Sequence, residues 1–388
     1  MSYVYAVIGA GRQGLASAYD FIIHGNAEKV IFADNDLETA TISAKKINSL
    51  TKKDICIPVQ ADASDENEIS TLLKEVDAFV SAVPYKFNVG LTNAAIKSKT
   101  HMTDLGGNTE VVRNQMKLST EAENAGITIV PDCGMDPGLN ISLIMYLFDK
   151  FDEVEEIKSY GAGLPQNPVP PWNYELHFNL NGLTNEYYGN AILIIDGKVS
   201  EIPCFDLFEE LIFPEPLGKL EAAVTSGGLS TLPWELEGKI KTLTNKTLRY
   251  PGHWQRFKAF SDLGLFEESP VKINNCEISP RDFYHALIAP KIKPRSNKDV
   301  GIIKIITKGT KNGKRKTIEV ELIDYFDEST GFTSMQRLTG WHASSIAILA
   351  AQGKLSPGVH SVSTVLPEKV VSEISKRGIK INIREGEN

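Results

Sequence analysis

The stretch YVYAVIGAGRQG constrains the fold more than any other part of the sequence. An apolar run suited to a buried strand leads into Gly9, Gly11 and Gly14, and a helix-forming segment follows directly. Gly9 permits a tight turn, Gly11 lets its backbone be approached closely, and Gly14 lets the helix pack against the strand. The order of strand, glycine loop and helix therefore predicts that these residues open a β-α-β unit with parallel strands.

The alternation of short apolar strands with amphipathic helices continues to Asp132. It predicts a doubly wound parallel sheet of the Rossmann type with right-handed crossovers. After Pro137 the sequence becomes rich in proline, asparagine and aromatic residues, and its later strands look antiparallel. The Asn312-Gly313 pair between two alternating runs predicts a tight hairpin. We therefore expect an α/β protein whose second domain is α+β, with a mixed or antiparallel sheet.

Composition narrows the partners that such a chain can have. A formal net charge of -8 over 388 residues argues against nucleic acid or an anionic membrane, because both attract basic surfaces. We see no secretion signal and no apolar run of bilayer-spanning length, so we expect a cytoplasmic protein. The four cysteines form no C-x-x-C pair and the seven histidines no H-x-x-x-H pattern, so we predict no metal site.

The acid that follows the second strand indicates a ligand for the glycine loop. Asp34 lies 20 residues after Gly14, at the end of VIFAD, where a carboxylate can bind ribose hydroxyls and repel a 2′-phosphate. FAD and S-adenosylmethionine are competing ligands, and the full three-glycine form, with free amides at the start of the helix, suits a pyrophosphate. We predict an NAD site, with NADP less favoured, although Arg12 could reach a 2′-phosphate. The residues predicted to bind the cofactor are Gly9, Gly11, Arg12, Gln13, Gly14, Asp34, Ala82 and Val83.

The segment VPDCGMDPGLN raises a question about Asp136. An aspartate followed by proline is typical of a helix start, where Asp is the N-cap and Pro137 takes the first helical position. The same turn would lie at the carboxyl end of the parallel sheet, where open α/β folds bind their ligands. Asp136 is therefore either a helix cap or a site carboxylate that orients a substrate amine.

Four segments, VSAVPYKFN, VPDCGMDPGLN, YGAGLP and TLRYPGH, follow the glycine loop in order. Together they resemble the saccharopine dehydrogenase family, meaning the glutamate-forming saccharopine reductases and the related lysine 6-dehydrogenases, over nearly the whole chain. The short run between Glu221 and Arg249 is similar to the lysine 6-dehydrogenases. Many saccharopine reductases carry a cysteine where this chain has Gly161, so a catalytic thiol is not carried over.

The resemblance implies an activity and a domain plan. The activity is NAD-dependent oxidation of the ε-amine of L-lysine, which gives ammonia and 2-aminoadipate 6-semialdehyde; this product cyclises to piperideine-6-carboxylate. The plan joins residues 1–137 and 335–388 in a nucleotide-binding domain and uses residues 138–334 for substrate binding and dimerisation. A homodimer acting on a small amine or amino acid is the expectation.

The same resemblance suggests roles for individual residues. It places Tyr85 beside the nicotinamide, after the strand end at Ala82 and Val83. Asp104 at the next strand end is expected to contact substrate. From the second domain, Arg249 can hold an α-carboxylate through its planar fork. His253, with an unperturbed pKa of about 6.5, is the candidate general base. The predicted catalytic residues are therefore Asp136, His253 and Tyr85.

Two other readings of the sequence stay open. Saccharopine or carboxynorspermidine dehydrogenases reduce the imine formed from an aldehyde and an amine, and they need a further cation for the second acidic substrate. Lys86, Arg113 and Arg281 are available for that purpose. The third reading is a nucleotide-binding regulator that has kept the fold without turnover.

Overall fold

The computed structural model describes residues 1–387 and divides them into two compact units. Unit 1 comprises residues 1–149, 230–232 and 328–380, and unit 2 comprises residues 150–229, 233–327 and the described residues from Ile381 onward. In the described chain, no helix is both long and apolar enough to cross a membrane.

These boundaries differ from the predicted division at residues 137 and 334. Residues 139–148 form a helix that packs against other elements of unit 1 and buries most of its side chains. The closing strand, Asn382–Glu387, pairs with a strand of unit 2. Both differences arise from contacts between residues distant in sequence, which the local pattern does not reveal.

Unit 1 contains the parallel sheet predicted from the alternation of strands and helices. Strands and helices are numbered in chain order through both units. Its strands are β1 (Tyr3–Ile8), β2 (Ala27–Asp34), β3 (Cys56–Gln60), β4 (Ala78–Ser81), β5 (His101–Asp104), β6 (Thr128–Val130) and β17 (Gly358–Val359). All pairings in the seven-stranded sheet are parallel, in the order β17-β6-β5-β4-β1-β2-β3. The Rossmann prediction is confirmed.

Helices surround this sheet. They are α1 (Arg12–Ile23), α2 (Leu37–Thr51), α3 (Glu66–Leu72), α4 (Asn88–Ser98), α5 (Thr109–Met116), α6 (Ser119–Ala125), α7 (Leu139–Phe148), α12 (Ser334–Ala351) and α13 (Pro367–Lys376). Helix α12 packs on α1, β4 and β5. A Cβ atom at Gly340 would lie 2.7 Å from Cβ of Ala16, so glycine at this position lets α12 approach α1 closely. Apolar side chains on both helices are buried by this contact, which stabilises the unit.

Unit 2 is built on a long mixed sheet. Its strands are β7 (Glu153–Pro165), β8 (Asn190–Ile195), β9 (Lys198–Pro203), β10 (Glu209–Ile212), β11 (Lys219–Val224), β12 (Thr242–Arg249), β13 (Val271–Ile273), β14 (Cys276–Ile278), β15 (Asp299–Lys311), β16 (Lys314–Tyr325) and β18 (Asn382–Glu387). The nine-stranded sheet has the path β10-β11-β12-β7-β15-β16-β18; off this path, β8 pairs with β12, and β9 pairs with β8. Only the β12–β7 pairing within it is parallel, so the predicted mixed sheet is confirmed.

The remaining helices are short. They are α8 (Leu180–Glu186), α9 (Leu232–Leu236), α10 (His253–Asp262) and α11 (Pro280–Ile288). Ser279 caps α11 through its hydroxyl and Pro280 opens the helix, as the sequence predicts. The hairpin turn is also confirmed, because Asn312 and Gly313 both have positive φ between β15 and β16.

Candidate functional site

The glycine loop of unit 1 has the geometry that close approach to a ligand requires. Gly9 has φ +102°, and a Cβ atom there would lie 2.7 Å from the carbonyl oxygen of Ala82. A Cβ atom at Gly14 would lie 2.1 Å from the carbonyl oxygen of Gly9. A Cβ atom at Gly11 would meet nothing within 4 Å. Gly9 and Gly14 therefore close the turn, and Gly11 leaves open space over the backbone.

Asp34 lies against this loop. Its Oδ2 accepts a hydrogen bond of 2.8 Å from the amide of Ala10, and its Oδ1 accepts one of 3.1 Å from the amide of Asp36. Gly11 is the N-cap of α1, and no side chain caps the helix there. Arg12 is exposed and Gln13 half-buried in the first turn. An open backbone, uncapped amides and an ordered carboxylate fit a dinucleotide, with the pyrophosphate at the helix start and a ribose at Asp34.

The strand end after β4 lies beside the end of β5. Ala82 continues the pairing of β4 through an amide hydrogen bond of 2.7 Å to the carbonyl oxygen of Ile8. Tyr85 begins a short 3-10 turn. A Cβ atom at Gly107 would lie 3.1 Å from Cδ1 of Tyr85, so the tyrosine ring packs over the glycine backbone. Tyr85 and the chain after Asp104 are thus brought together, as the order of the strands implies.

Asp104 ends β5 and is completely buried. Its Oδ1 accepts hydrogen bonds from the amides of Gly106 (2.8 Å) and Asp132 (3.1 Å). Its Oδ2 accepts one of 2.8 Å from Nε2 of Gln115. Burial raises the pKa of this carboxyl group, and the three donors oppose that increase. Within the described residues, Asp104 is therefore a buried polar anchor of the strand ends and not an exposed contact.

A second buried acid, Asp132, was missed by sequence reasoning. It follows β6, adopts φ +56° and is 2% exposed. Burial raises its pKa to about 7, and the neighbouring charge of Asp104 adds to the increase. The signal that could have found it was the repeated arrangement of an apolar strand followed by an acid, since both TDLGG and VPDCG have this form.

Asp136 does not cap a helix. The N-cap of α7 is Gly138, which makes no side-chain cap hydrogen bond. Instead, Nδ2 of Asn140 donates a hydrogen bond of 2.8 Å to Oδ1 of Asp136, and Oδ1 of Asn140 accepts from the amide of Gly138. The helix starts two residues later than the proline pattern suggests. The capping interpretation is therefore wrong, and Asp136 is a half-buried carboxylate oriented by a side-chain amide.

His342 orders the backbone before Asp136, a role that no sequence motif indicates. It lies in the interior of α12 and is fully buried. Its Nδ1 lies 2.9 Å from the carbonyl oxygen of Cys133, to which it donates, and its Nε2 lies 3.0 Å from the hydroxyl of Ser142. Burial lowers its pKa to about 4. Neutral His342 thus connects α12 and α7 to the segment that carries Asp132 and Asp136.

In unit 2, Arg249 is the last residue of β12 and is 2% exposed. Its Nε donates to the hydroxyl of Tyr187 at 2.9 Å, and its Nη1 donates to the carbonyl oxygen of Leu248 at 3.0 Å. Its nearest carboxylate oxygen is Oε2 of Glu186, 3.6 Å from Nη2. Its guanidinium carbon also lies 5.0 Å from the ring centre of Tyr174. Arg249 is therefore a buried cation packed mainly against aromatic rings.

His253 lies at the first turn of α10 and is 1% exposed. Its Nε2 is 2.9 Å from the hydroxyl of Tyr187. That hydroxyl accepts from Nε of Arg249, and the histidine tautomer decides whether it donates to Nε2 of His253 or accepts from it. Burial lowers its pKa well below the ordinary value, and the positive charge of Arg249 lowers it further. This arrangement favours a role in orienting Tyr187 over the predicted role of general base.

Three residues around Arg249 were not predicted as site residues. Tyr174 and Tyr187 flank the guanidinium, and Glu186 precedes Tyr187 at the end of α8. Burial raises the pKa of Glu186 to about 7, although the charge of Arg249 opposes the increase. The segments that supply these residues have no motif spacing, so only their packing against β12 and α10 identifies them.

Comparison with known proteins assigns the chain to a family. Residues 5–130 match the family model of the saccharopine dehydrogenase NADP binding domain, and residues 134–379 match that of the saccharopine dehydrogenase C-terminal domain. The chain belongs to the saccharopine dehydrogenase family. The family resemblance noted in the sequence is confirmed.

Individual relatives in this family are distant in sequence. Saccharopine dehydrogenase (NADP+, L-glutamate-forming) from Pyricularia oryzae is 26% identical over 257 residues, which cover 62% of this chain and 54% of that protein. Mitochondrial alpha-aminoadipic semialdehyde synthase from Mus musculus is 25% identical over 278 residues, 69% of this chain and 29% of that protein. The chain thus spans about half, or less, of the length of these relatives.

Solved structures confirm the fold of the saccharopine dehydrogenase family. Apo saccharopine dehydrogenase (L-Glu forming) from Saccharomyces cerevisiae superimposes with a TM-score of 0.79 at 19% identity, over 99% of this chain and all of that chain. Homospermidine synthase from Legionella pneumophila, solved with NAD, gives a TM-score of 0.68 at 10% identity, over 100% of this chain and 92% of that chain. At these identities the likeness shows the fold alone.

Proposed function

We propose that the protein is a nicotinamide-dinucleotide-dependent oxidoreductase that acts on a carbon–nitrogen bond of a small amino acid. The glycine loop, Asp34 and the strand end at Ala82 and Val83 would hold the cofactor, which supplies a hydride acceptor when it is bound. The fit of NAD rests on Asp34, whose carboxylate disfavours a 2′-phosphate. The matched family domain is described as NADP-binding, so NAD is the preference to be tested.

The observation that carries the proposal is the incompletely neutralised charge of Arg249. Its guanidinium is buried, yet its nearest carboxylate oxygen lies at 3.6 Å. Because burial raises the pKa of Glu186 to about 7, that partner is only partly ionised at neutral pH. A buried cation is stabilised by an anion. The α-carboxylate of an amino-acid substrate would supply that anion.

The preferred reaction is oxidation of the ε-amine of L-lysine with release of ammonia. Free lysine holds this amine protonated with a pKa of about 10.4, and the proton must leave before the nitrogen lone pair can assist hydride loss. Asp136, fixed by Asn140, would orient the amine, and Tyr85 would lie beside the reacting carbon. His253 would orient Tyr187 and thereby Arg249. A homodimer and a cytoplasmic location stay predictions.

A second candidate is a dehydrogenase acting on saccharopine. The observation that favours it is that the two curated relatives described above are named as a saccharopine dehydrogenase and an alpha-aminoadipic semialdehyde synthase. Saccharopine differs from lysine by a second acidic group on the ε-nitrogen, so its enzyme must bind an additional carboxylate.

The test is the appearance of reduced cofactor when the purified protein is given NAD or NADP with lysine, ornithine, saccharopine or carboxynorspermidine. We expect reduced NAD with lysine, accompanied by one ammonia for each hydride transferred. Turnover of saccharopine alone would transfer the assignment to the second candidate. Dinucleotide binding without turnover of any of these amines would indicate a regulator and would contradict both proposals.

A further inference from the structure

We propose that Asp104 and Asp132 form a buried carboxyl pair that stores one proton and serves the amine chemistry at the carboxyl edge of the parallel sheet. This inference rests on the proposed function and extends it to the source and destination of the proton. Both residues belong to unit 1; Asp104 ends β5, and Asp132 lies two residues after the end of the adjacent strand β6. No other pair of strand ends in the described part of this sheet carries two fully buried aspartates.

The two carboxyl groups share their surroundings. The amide of Asp132 donates to Oδ1 of Asp104, so one residue fixes the other. A Cβ atom at Gly106 would lie 1.9 Å from Oδ1 of Asp132, which shows that this oxygen lies directly against the glycine backbone. Among residues 1–387, no hydrogen-bond partner contacts Oδ1 of Asp132. A buried carboxyl oxygen without a partner leaves a position for a proton or a proton donor.

The hydrogen bonds assign different states to the two acids. Burial raises the pKa of Asp104, but its three hydrogen-bond donors oppose that increase by stabilising the ionised form. Asp132 is the group on which the proton is stored, since the hydroxyl of Ser230 and the amide of Gly107 only partly offset its burial and the charge of Asp104. Two carboxylates this close cannot both ionise without a free-energy cost.

Among the described residues, the groups that shift the pKa of Asp132 include no cation. On its own segment lie Cys133, whose thiol has a pKa raised mainly by burial and further by the two acids, and the half-buried Asp136. Tyr85, after β4, packs against Gly107, whose amide donates to Asp132. From α12, His342 donates to the carbonyl oxygen of Cys133, and burial lowers its pKa to about 4. The histidine is therefore neutral where Asp132 titrates.

This arrangement defines a balanced proton step. In the oxidative direction, the substrate ammonium gives its proton to the Asp132 carboxylate, producing a free amine and a neutral carboxyl group. The free lone pair is what hydride loss from the neighbouring carbon requires, the bound cofactor would supply the hydride acceptor, and the stored proton leaves to water. In the reductive direction, neutral Asp132 returns the proton to nitrogen. Oxidation should therefore accelerate as the pH rises through the range in which Asp132 ionises.

The first experiment titrates the carboxyl groups directly, without turnover. Aspartate labelled with 13C at the side-chain carboxyl is incorporated, and NMR spectra are recorded from about pH 5 to about pH 9, spanning the pKa of about 7. Aspartate labelling excludes Glu186, whose pKa is also about 7. We expect one aspartyl carboxyl to titrate near pH 7 in the wild type and in the exposed control Asp62→Asn. This titration near pH 7 should be absent in Asp132→Asn and should move to lower pH in Asp104→Asn.

The second experiment measures pH profiles of the oxidative reaction. Asp132→Asn should lower kcat by about 100-fold and abolish the rise near pH 7, the size expected for loss of an acid–base group. Dinucleotide Kd, measured by fluorescence titration, should stay within about 2-fold of the wild-type value, a difference of about 0.4 kcal/mol. A merely structural role would lower kcat without removing the rise with pH.

The outcomes separate the inference from the proposed function. Ionisation of every labelled aspartate below about pH 6 in the wild type would overturn the pair, since an ordinary aspartate has a pKa of about 3.9. Persistence of the pH-dependent rise in Asp132→Asn would do the same. A normal carboxyl titration with no turnover of any amine would defeat the proposed function, and with it the role of the pair in catalysis.

Discussion

Two of the arginines that are buried in the described chain, one in each unit, differ in their partners. Arg377 in unit 1 meets Asp20 through two parallel hydrogen bonds, Nε to Oδ1 at 2.7 Å and Nη2 to Oδ2 at 2.9 Å. Its Nη1 also donates to Oε2 of Glu373 at 3.1 Å. Arg249 in unit 2 donates to a tyrosine hydroxyl and a backbone carbonyl, and its nearest carboxylate oxygen lies at 3.6 Å.

The difference separates a structural ion pair from a cation that can accept a ligand. Asp20 is fully buried, so the charges of Arg377 and Asp20 neutralise one another inside unit 1 and connect α1 to the end of α13. Aromatic rings around Arg249 shield its charge without cancelling it. A buried charge without full compensation is costly, and such a cost is commonly retained where a ligand supplies the missing partner.

The largest expected effect is on stability. Arg377→Met should leave Asp20 buried without its cation and lower the free energy of unfolding by about 3–5 kcal/mol, the range for breaking a buried ion pair. Urea unfolding followed by circular dichroism measures the change. The matched control, Arg384→Met, removes an exposed arginine whose nearest carboxylate oxygen in the described chain is 3.6 Å away, and it should cost less than about 1 kcal/mol. If both variants lost a similar amount of unfolding free energy, the ion pair of Arg377 and Asp20 would not be a stabilising structural contact.

Arg249 should show the opposite profile. Arg249→Lys keeps the positive charge but loses the planar fork that holds a carboxylate, so kcat/KM should decrease by at least about 100-fold, while unfolding changes less than in Arg377→Met. Dinucleotide affinity should not change, because the glycine loop belongs to unit 1. Steady-state kinetics with the amine oxidised by the wild type provide the measurement. If Arg249→Lys kept the kcat/KM of the wild type, Arg249 would have no role in substrate binding.

The carboxyl pair should affect stability in a pH-dependent manner. A raised pKa means that native Asp132 holds a proton more tightly than the unfolded chain does, so its contribution to stability is present below the unfolded value of about 3.8 and is lost as pH rises to about 7. Asp132→Asn stays neutral and should raise Tm at pH 8 by about 3 °C or more, but less at pH 5. Calorimetry at the two pH values is decisive. An equal increase in Tm at pH 5 and pH 8 would contradict the raised pKa of Asp132.

The smallest expected effect concerns the cofactor. Asp34→Ala removes the carboxylate that accepts from Ala10, so NAD should bind about 10-fold less tightly, equivalent to about 1.4 kcal/mol. NADP should be affected less, because the variant also removes repulsion of the 2′-phosphate. Binding titrations with both dinucleotides test the preference. If the wild-type protein bound NADP more tightly than NAD, Arg12 and not Asp34 would dominate the choice between the two dinucleotides.

Much of unit 1 was predictable because its signals are local. A strand, a glycine loop and a helix lie within a few residues of one another, and an acid at a fixed distance marks the ribose position. Tyr85, Asp104 and Asp34 could be placed because parallel strands carry their loops to one edge. The role of Asp136 was harder to predict, because an aspartate followed by proline indicates a helix cap. In the structure, Gly138 is the N-cap of the helix, and Asn140 donates a hydrogen bond to the carboxylate of Asp136.

The sequence by itself determined the Rossmann sheet, the mixed sheet with its Asn312-Gly313 hairpin, and the family. These features depend on periodicity and on glycine spacing, which are properties of neighbouring residues. Tertiary structure alone decided the states of the buried ionisable groups, including Asp132, His253 and Arg249. Burial and hydrogen-bond partners set their charges, and those partners come from segments that are distant in sequence.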